Sequence, residues 1–159
     1  MGQATHEQVN LMLRLYELRR EPRLREARTW FMEKFFVTNP EDLMKKYPPG
    51  SEENTNVRMV VSYWDMVAGV ANRGLLDEDL FFENTGEIWV VWERLRALAP
   101  AWRVAFKNPH VFANLEQVCN RLEKWREQRA PGSTAAMRQM MEQMNLAAQA
   151  GGAASKAAS

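Results

Sequence analysis

Between residues 57 and 71 the chain is so apolar that it can only be a buried helix, and a buried helix needs neighbours on almost every side. Val57, Val60, Val61, Trp64, Val67, Ala68 and Ala71 fall at i, i+3, i+4 spacing, and Met59, Tyr63, Met66 and Val70 widen the stripe. Arg58, Ser62, Asp65, Gly69 and Asn72 interrupt it in one narrow polar row. The pattern predicts a central helix with a single polar edge, stopped by Gly74 in a left-handed cap.

The flanking sequence has the same period. From about Thr5 to Arg20 one face carries Val9, Met12, Leu13 and Tyr16, and the opposite face carries Leu11, Leu15 and Leu18. A helix apolar on both sides is sandwiched in a core or meets another chain. Pro22 suits the first turn of the next helix, where Leu24, Ala27, Arg28, Phe31 and Phe35 align. Thr38 and Glu41 have capping-box spacing, and PPGSEEN (48–54) is a loop. Asp77 is placed to cap a short helix, and Asn84 or Thr85 to cap the next. That helix carries Ile88, Val91, Trp92, Leu95, Leu98, Ala99 and Trp102, with a kink or break expected at Pro100. Asn108 and Pro109 restart the chain into a last core stripe from Val111 to Trp125. No strand is predicted. The expected fold is all-α, an irregular bundle of about five to seven helices.

A chain of 159 residues with an apolar share of 46% can build one core without staples. The expected organisation is a helical domain over 1–130, a methionine-rich amphipathic extension over 131–149 and a disordered low-complexity tail over 150–159. APGS (130–133) marks the edge. The lone Cys119 forms no internal disulfide, and the first residues show neither a basic leader nor an apolar run. No stretch is long and apolar enough to span a bilayer. Together these point to a cytoplasmic protein without a membrane span.

Charge narrows the partners. With 21 basic and 20 acidic residues, the formal charge is +1. Arg19, Arg20, Arg23, Arg25 and Arg28 are dense, but Glu17, Glu21 and Glu26 interleave with them, so no nucleic-acid partner is expected. No phosphate loop, nucleophile elbow or HExxH is present, and His6 and His110 are the only histidines. No catalytic residue, metal-ligand set or cofactor is therefore expected. Asp65 is the candidate for a polar binding site: if buried beside Trp64 it needs a cation from Arg94 or Arg103, whereas a partly solvated polar edge along the same row accounts for it without function. The site extends toward the acids of 77–87, with Asp79 and Glu83 as members. Trp30 and Trp89 fall off the main stripes and are assigned to a groove or interface. Candidate contact surfaces are the Leu11, Leu15, Leu18 face and the stripe Met137, Met140, Met141, Met144; methionine suits adaptable contacts, and the stripe either docks on its own domain, docks on a partner or stays disordered.

Two stretches carry a resemblance. MLRLYELRREPRLREARTWF, and the run from Val60 to Arg103 containing the Trp64–Asp65 pair, the Gly74–Asp79 turn, the Trp92–Glu93 pair and Arg103, resemble the bacterial domain-of-unknown-function family 4760 over about Leu11–Trp125. The resemblance implies a helical domain in a bacterial cell. It brings no reaction, ligand or catalytic residue. The first functional expectation is a protein–protein interaction or self-associating domain, and the alternative is a small-molecule or metal-binding domain at the Asp65 row.

Overall fold

A computed structural model describes residues 2–158. Among these residues the chain forms nine helices and no strand. The all-α expectation holds, and the helix count exceeds the expected five to seven. The excess comes from breaks between short elements. The long helix expected around Pro100 is two: α6 (Glu87–Leu95) and α7 (Ala99–Ala105), with Pro100 in the first turn of α7. Two seven-residue helices, α3 (Pro40–Lys46) and α5 (Glu78–Asn84), separate the longer ones.

Local signals explain most boundaries. The first helix, α1 (His6–Arg19), starts with a capping box in which the Thr5 hydroxyl accepts from the Gln8 N–H and the Gln8 side chain accepts from the Thr5 N–H. Pro22 opens α2 (Pro22–Lys34), where the Glu21 carboxylate accepts from the N–H groups of Leu24 and Arg23 and is held below the usual carboxylate range by them. The cap of α3 is Asn39 and not Thr38; its Oδ1 accepts from Glu41 N at 2.8 Å. The central helix α4 (Glu52–Asn72) begins inside the expected loop because Ser51 caps it, and Gly74 follows it at φ +71°. Asp77 caps α5 as expected, whereas α6 starts at Gly86 without a side-chain cap, so neither Asn84 nor Thr85 serves there.

The chain divides into two compact units, Met1–Asn120 and Arg121–Ser159. In the first, α4 packs against α2 and α6. Its stripe is covered, with Val60, Trp64, Val67 and Ala68 all at or below 2% exposure. Phe31 and Phe35 stack at 4.7 Å, and Trp30 meets Tyr47 edge-on at 5.1 Å. Trp89, expected at a groove, is completely buried, because α6 is apolar nearly all round, at Ile88, Trp89, Val91, Trp92 and Leu95.

The divide falls inside α8 (Ala113–Arg129), where no turn residue marks it in the sequence. APGS lies within the second unit, as the turn between α8 and α9 (Ser133–Ala157). Gly132 takes φ +84° there, and Glu127 accepts from the N–H groups of Gly132 and Thr134. Arg138 pairs with Glu123 along the two helices. Where composition suggested a disordered tail from Ala150, α9 continues to Ala157. Alanine has the highest helix propensity and sustains the helix through Gly151 and Gly152, whose combined cost is about 2 kcal/mol. Ser159 lies outside the described residues.

Candidate functional site: a two-arginine hub beside an apolar cleft

Glu87, at the start of α6, joins four helices. Its Oε1 accepts from Arg28 Nε at 2.7 Å and its Oε2 from Arg28 Nη2 at 2.6 Å. Trp64 Nε1 of α4 donates to Oε1 at 3.1 Å. Arg28 Nη1 reaches back to the Arg19 carbonyl at the end of α1, at 3.1 Å. The hydrogen bond to Glu87 raises the affinity of Arg28 for its proton. Arg19 approaches the same carboxylate only at 4.0 Å, with its guanidinium carbon 4.9 Å from the Tyr16 ring and 5.8 Å from the Trp64 ring. All three charged side chains are 15–18% exposed.

Next to this hub α1, α4 and α5 enclose a cleft of about 320 Å³. It is lined by Met12, Leu15 and Tyr16 of α1, Trp64 and Val67 of α4, and Phe81 of α5. Arg19, Asn84 and Thr85 add polar groups. The Tyr63 hydroxyl donates to the Leu15 carbonyl and anchors α1 over α4; burial pushes this phenol up to about 12.

Of the residues expected to form a polar site, Asp65, Arg94 and Arg103 each turn to a different partner. The Asp65 carboxylate accepts from Leu115 N at 3.3 Å, so it pairs with neither Arg94 nor Arg103. Burial raises its pKa, and the Leu115 N–H opposes that rise. Leu115 lies in the first turn of α8, whose free N–H groups need acceptors, so Asp65 caps this helix from another one. Asn72 extends the same junction by donating to the backbone and side-chain oxygens of Asn114. The polar row is therefore the seat of the α8 terminus.

Arg94 serves the opposite end of a helix. It donates to the carbonyls of Phe31 and Met32, in the last turn of α2, and lies 4.6 Å from the Phe36 ring centroid. Burial pushes it down to about 10, which leaves it cationic at neutral pH. Arg103 donates to the Val111 carbonyl and to Glu116, bracing the turn between α7 and α8. Asp79 is half-buried and Glu83 exposed on α5. Among the described residues no group of three His, Cys, Asp or Glu side chains is arranged to hold a metal ion. His6 and His110 are both exposed.

The expected contact surfaces separate as well. Leu15 is core at 8% exposure, Leu11 is half-buried and Leu18 is 43% exposed, because α1 packs through Leu15 and leaves Leu13, Tyr16 and Leu18 outward. Charge at Leu15 therefore strikes the core and not a contact face. On α9, Met137 and Met141 are half-buried while Met140 and Met144 are exposed. Sequence reasoning missed Glu87 as the hub. Its signal was Arg28, the one charge in an apolar helical row, which requires a buried partner.

This arrangement defines an all-helical domain with a covered polar hub and one adjoining apolar cleft. The chain belongs to the family described as Domain of unknown function (DUF4760), whose model matches residues 4–125. No curated protein and no solved structure matches it. Among the described residues no helix is long and apolar enough to cross a membrane.

Proposed function

We propose that the chain is a non-enzymatic interaction protein that self-associates through α9. The observation that carries this reading is the exposure of Met140 at 63%, Met144 at 52% and Leu146 at 62% on one 25-residue helix. Met140 and Met144 lie at i, i+4 on one side, and Leu146 lies opposite them. Arg138, Glu142 and Lys156 are the only charged side chains on α9, so two copies of it repel one another little. The alanines from Ala147 onward allow close helix approach. A second copy of the chain, related by a two-fold axis, is the occupant that fits.

Light scattering during size exclusion tests this reading on the whole chain, on Met140→Glu/Met144→Glu, and on a version ending at Ala130. The expected result is a dimer for the whole chain and monomers for both variants. A monomeric whole chain at high micromolar concentration rejects self-association, and a dimer retained by both variants moves the interface away from α9.

The second reading is a small-molecule-binding domain. Its support is the cleft beside Arg19 rather than the Asp65 row, since a volume of about 320 Å³ falls within the range of roughly 300–1,000 Å³ usual for ligand pockets.

A further inference from the structure

We infer that the cleft between α1, α4 and α5 takes a small amphiphile with a single anionic head, which sits on the Arg19 guanidinium while its apolar body lies against Met12, Trp64, Val67 and Phe81. The inference rests on the ligand-binding reading of this cleft and adds the chemistry of the ligand.

The charges around Glu87 do not balance. Two guanidinium groups, Arg19 and Arg28, face one carboxylate. Arg28 takes both oxygens, and Trp64 adds a third donor to Oε1. Arg19 stands 4.0 Å away, a long ion pair beyond hydrogen-bond length, so two positive charges share one negative charge at the wall of the cleft.

Arg19 also carries an unused donor. Its Nε is out of reach of solvent and has no hydrogen-bond acceptor. A buried N–H without an acceptor is costly, so Arg19 is held short of its full set of hydrogen bonds, and a ligand oxygen meets the guanidinium through its Nη groups rather than through this closed-off Nε. The Tyr16 and Trp64 rings lie within cation–π distance of the guanidinium carbon and fix the group in place. A fixed guanidinium offers a planar fork of donors suited to a carboxylate.

The rest of the cleft selects against a highly charged ligand. Met12, Leu15, Val67 and Phe81 offer no polar side-chain partner, and Arg19 is the one cationic side chain in the lining. A volume near the lower end of the usual range suits one small molecule and not a folded segment of polypeptide. A monoanion with an aliphatic or aromatic body satisfies all three conditions.

The test is calorimetric titration of the full chain with octanoate and with octanol, which share a tail and differ in the head. The expected result is octanoate binding about tenfold tighter than octanol, the effect of one charge-assisted hydrogen bond. Arg19→Gln should bring octanoate down to the level of octanol. Met12→Trp, which fills the cleft from a half-buried position, should abolish both. Equal affinities in the unmodified chain overturn the anionic-head assignment and leave the cleft as an apolar site. Binding of neither probe overturns the cleft reading too, as does binding that survives Met12→Trp. Circular dichroism of Arg19→Gln establishes that it folds; if it does not, the comparison of the two probes on the unmodified chain and Met12→Trp decide the matter.

Discussion

Arg28 and Glu87 stand 59 positions apart and meet through two parallel hydrogen bonds, at 2.7 and 2.6 Å, in a site where each is about 15% exposed. This pair ties α2 to α6. Through the Arg19 carbonyl and Trp64 Nε1 it also holds the end of α1 and the middle of α4. Removing Glu87 leaves the Arg28 guanidinium buried without its counterion, and removing Arg28 leaves Glu87 with only the long Arg19 ion pair and the Trp64 N–H, either of which is costlier than removing both partners.

Arg28→Met should therefore destabilise the domain by about 3 kcal/mol, at the lower end of the range for breaking a buried pair. Arg28→Met combined with Glu87→Gln should cost less than the sum of the two single changes. Urea unfolding followed by tryptophan fluorescence measures both. A loss under about 1 kcal/mol for Arg28→Met would reduce the pair to an ordinary surface contact.

Asp65 makes a prediction in pH. Burial raises its pKa above the unfolded value, so the folded state holds the proton to higher pH than the unfolded chain does. The unfolded state then binds fewer protons in that window, and the contribution of Asp65 to stability falls as pH rises through it. Asp65→Asn keeps an acceptor for Leu115 N–H and removes the titration. The stability of the variant relative to the unmodified chain should rise from acid toward neutral pH. A relative loss over that range would mean that the charge at the start of α8 outweighs the burial penalty.

The α1 side chains separate core from surface. Leu15→Glu places a charge in the core and should cost at least about 3 kcal/mol, enough to lower the melting temperature sharply. Leu18→Glu, on an exposed position, should stay within about 0.5 kcal/mol. Equal melting temperatures for the two variants would place Leu15 outside the core.

Gly69 is a stabilising target. It lies inside α4, and a methyl group there would meet Arg73 Nη1 and Asn114 Nδ2 at 3.5 Å, ordinary contact distance. Gly69→Ala should raise unfolding free energy by about 0.5–1 kcal/mol, because alanine loses less backbone freedom in a helix. A decrease would show that the Asn72–Asn114 junction requires the bare backbone.

Much of the local architecture was legible along the chain. The cap at Asp77, the stop at Gly74, the start at Pro22 and the break at Pro100 each act on backbone groups within one or two turns, so their residues announce them. Misreadings arose where two adjacent residues could serve equally, as with Thr38 and Asn39 before α3. The site was less legible. Asp65 was visible as a buried carboxylate, but its partner is a backbone N–H of a helix 50 positions on, and no side-chain pattern marks that. Arg94 looked like a counterion and proved to be a helix cap, because the last carbonyls of α2 have no intrahelical donor and accept from its guanidinium.

The sequence by itself determined that this protein is helical, that Val57–Ala71 lies at its centre, and which family it belongs to, because helical period and capping depend on residues three or four positions apart. Tertiary structure alone decided that Arg28 meets Glu87, that Asp65 seats α8, that Leu15 is core while Leu13 is not, and that an apolar cleft opens beside Arg19. Those outcomes depend on how helices cross and which side chains the crossings bring within about 3 Å of each other, and that geometry is set by the packing of the whole core.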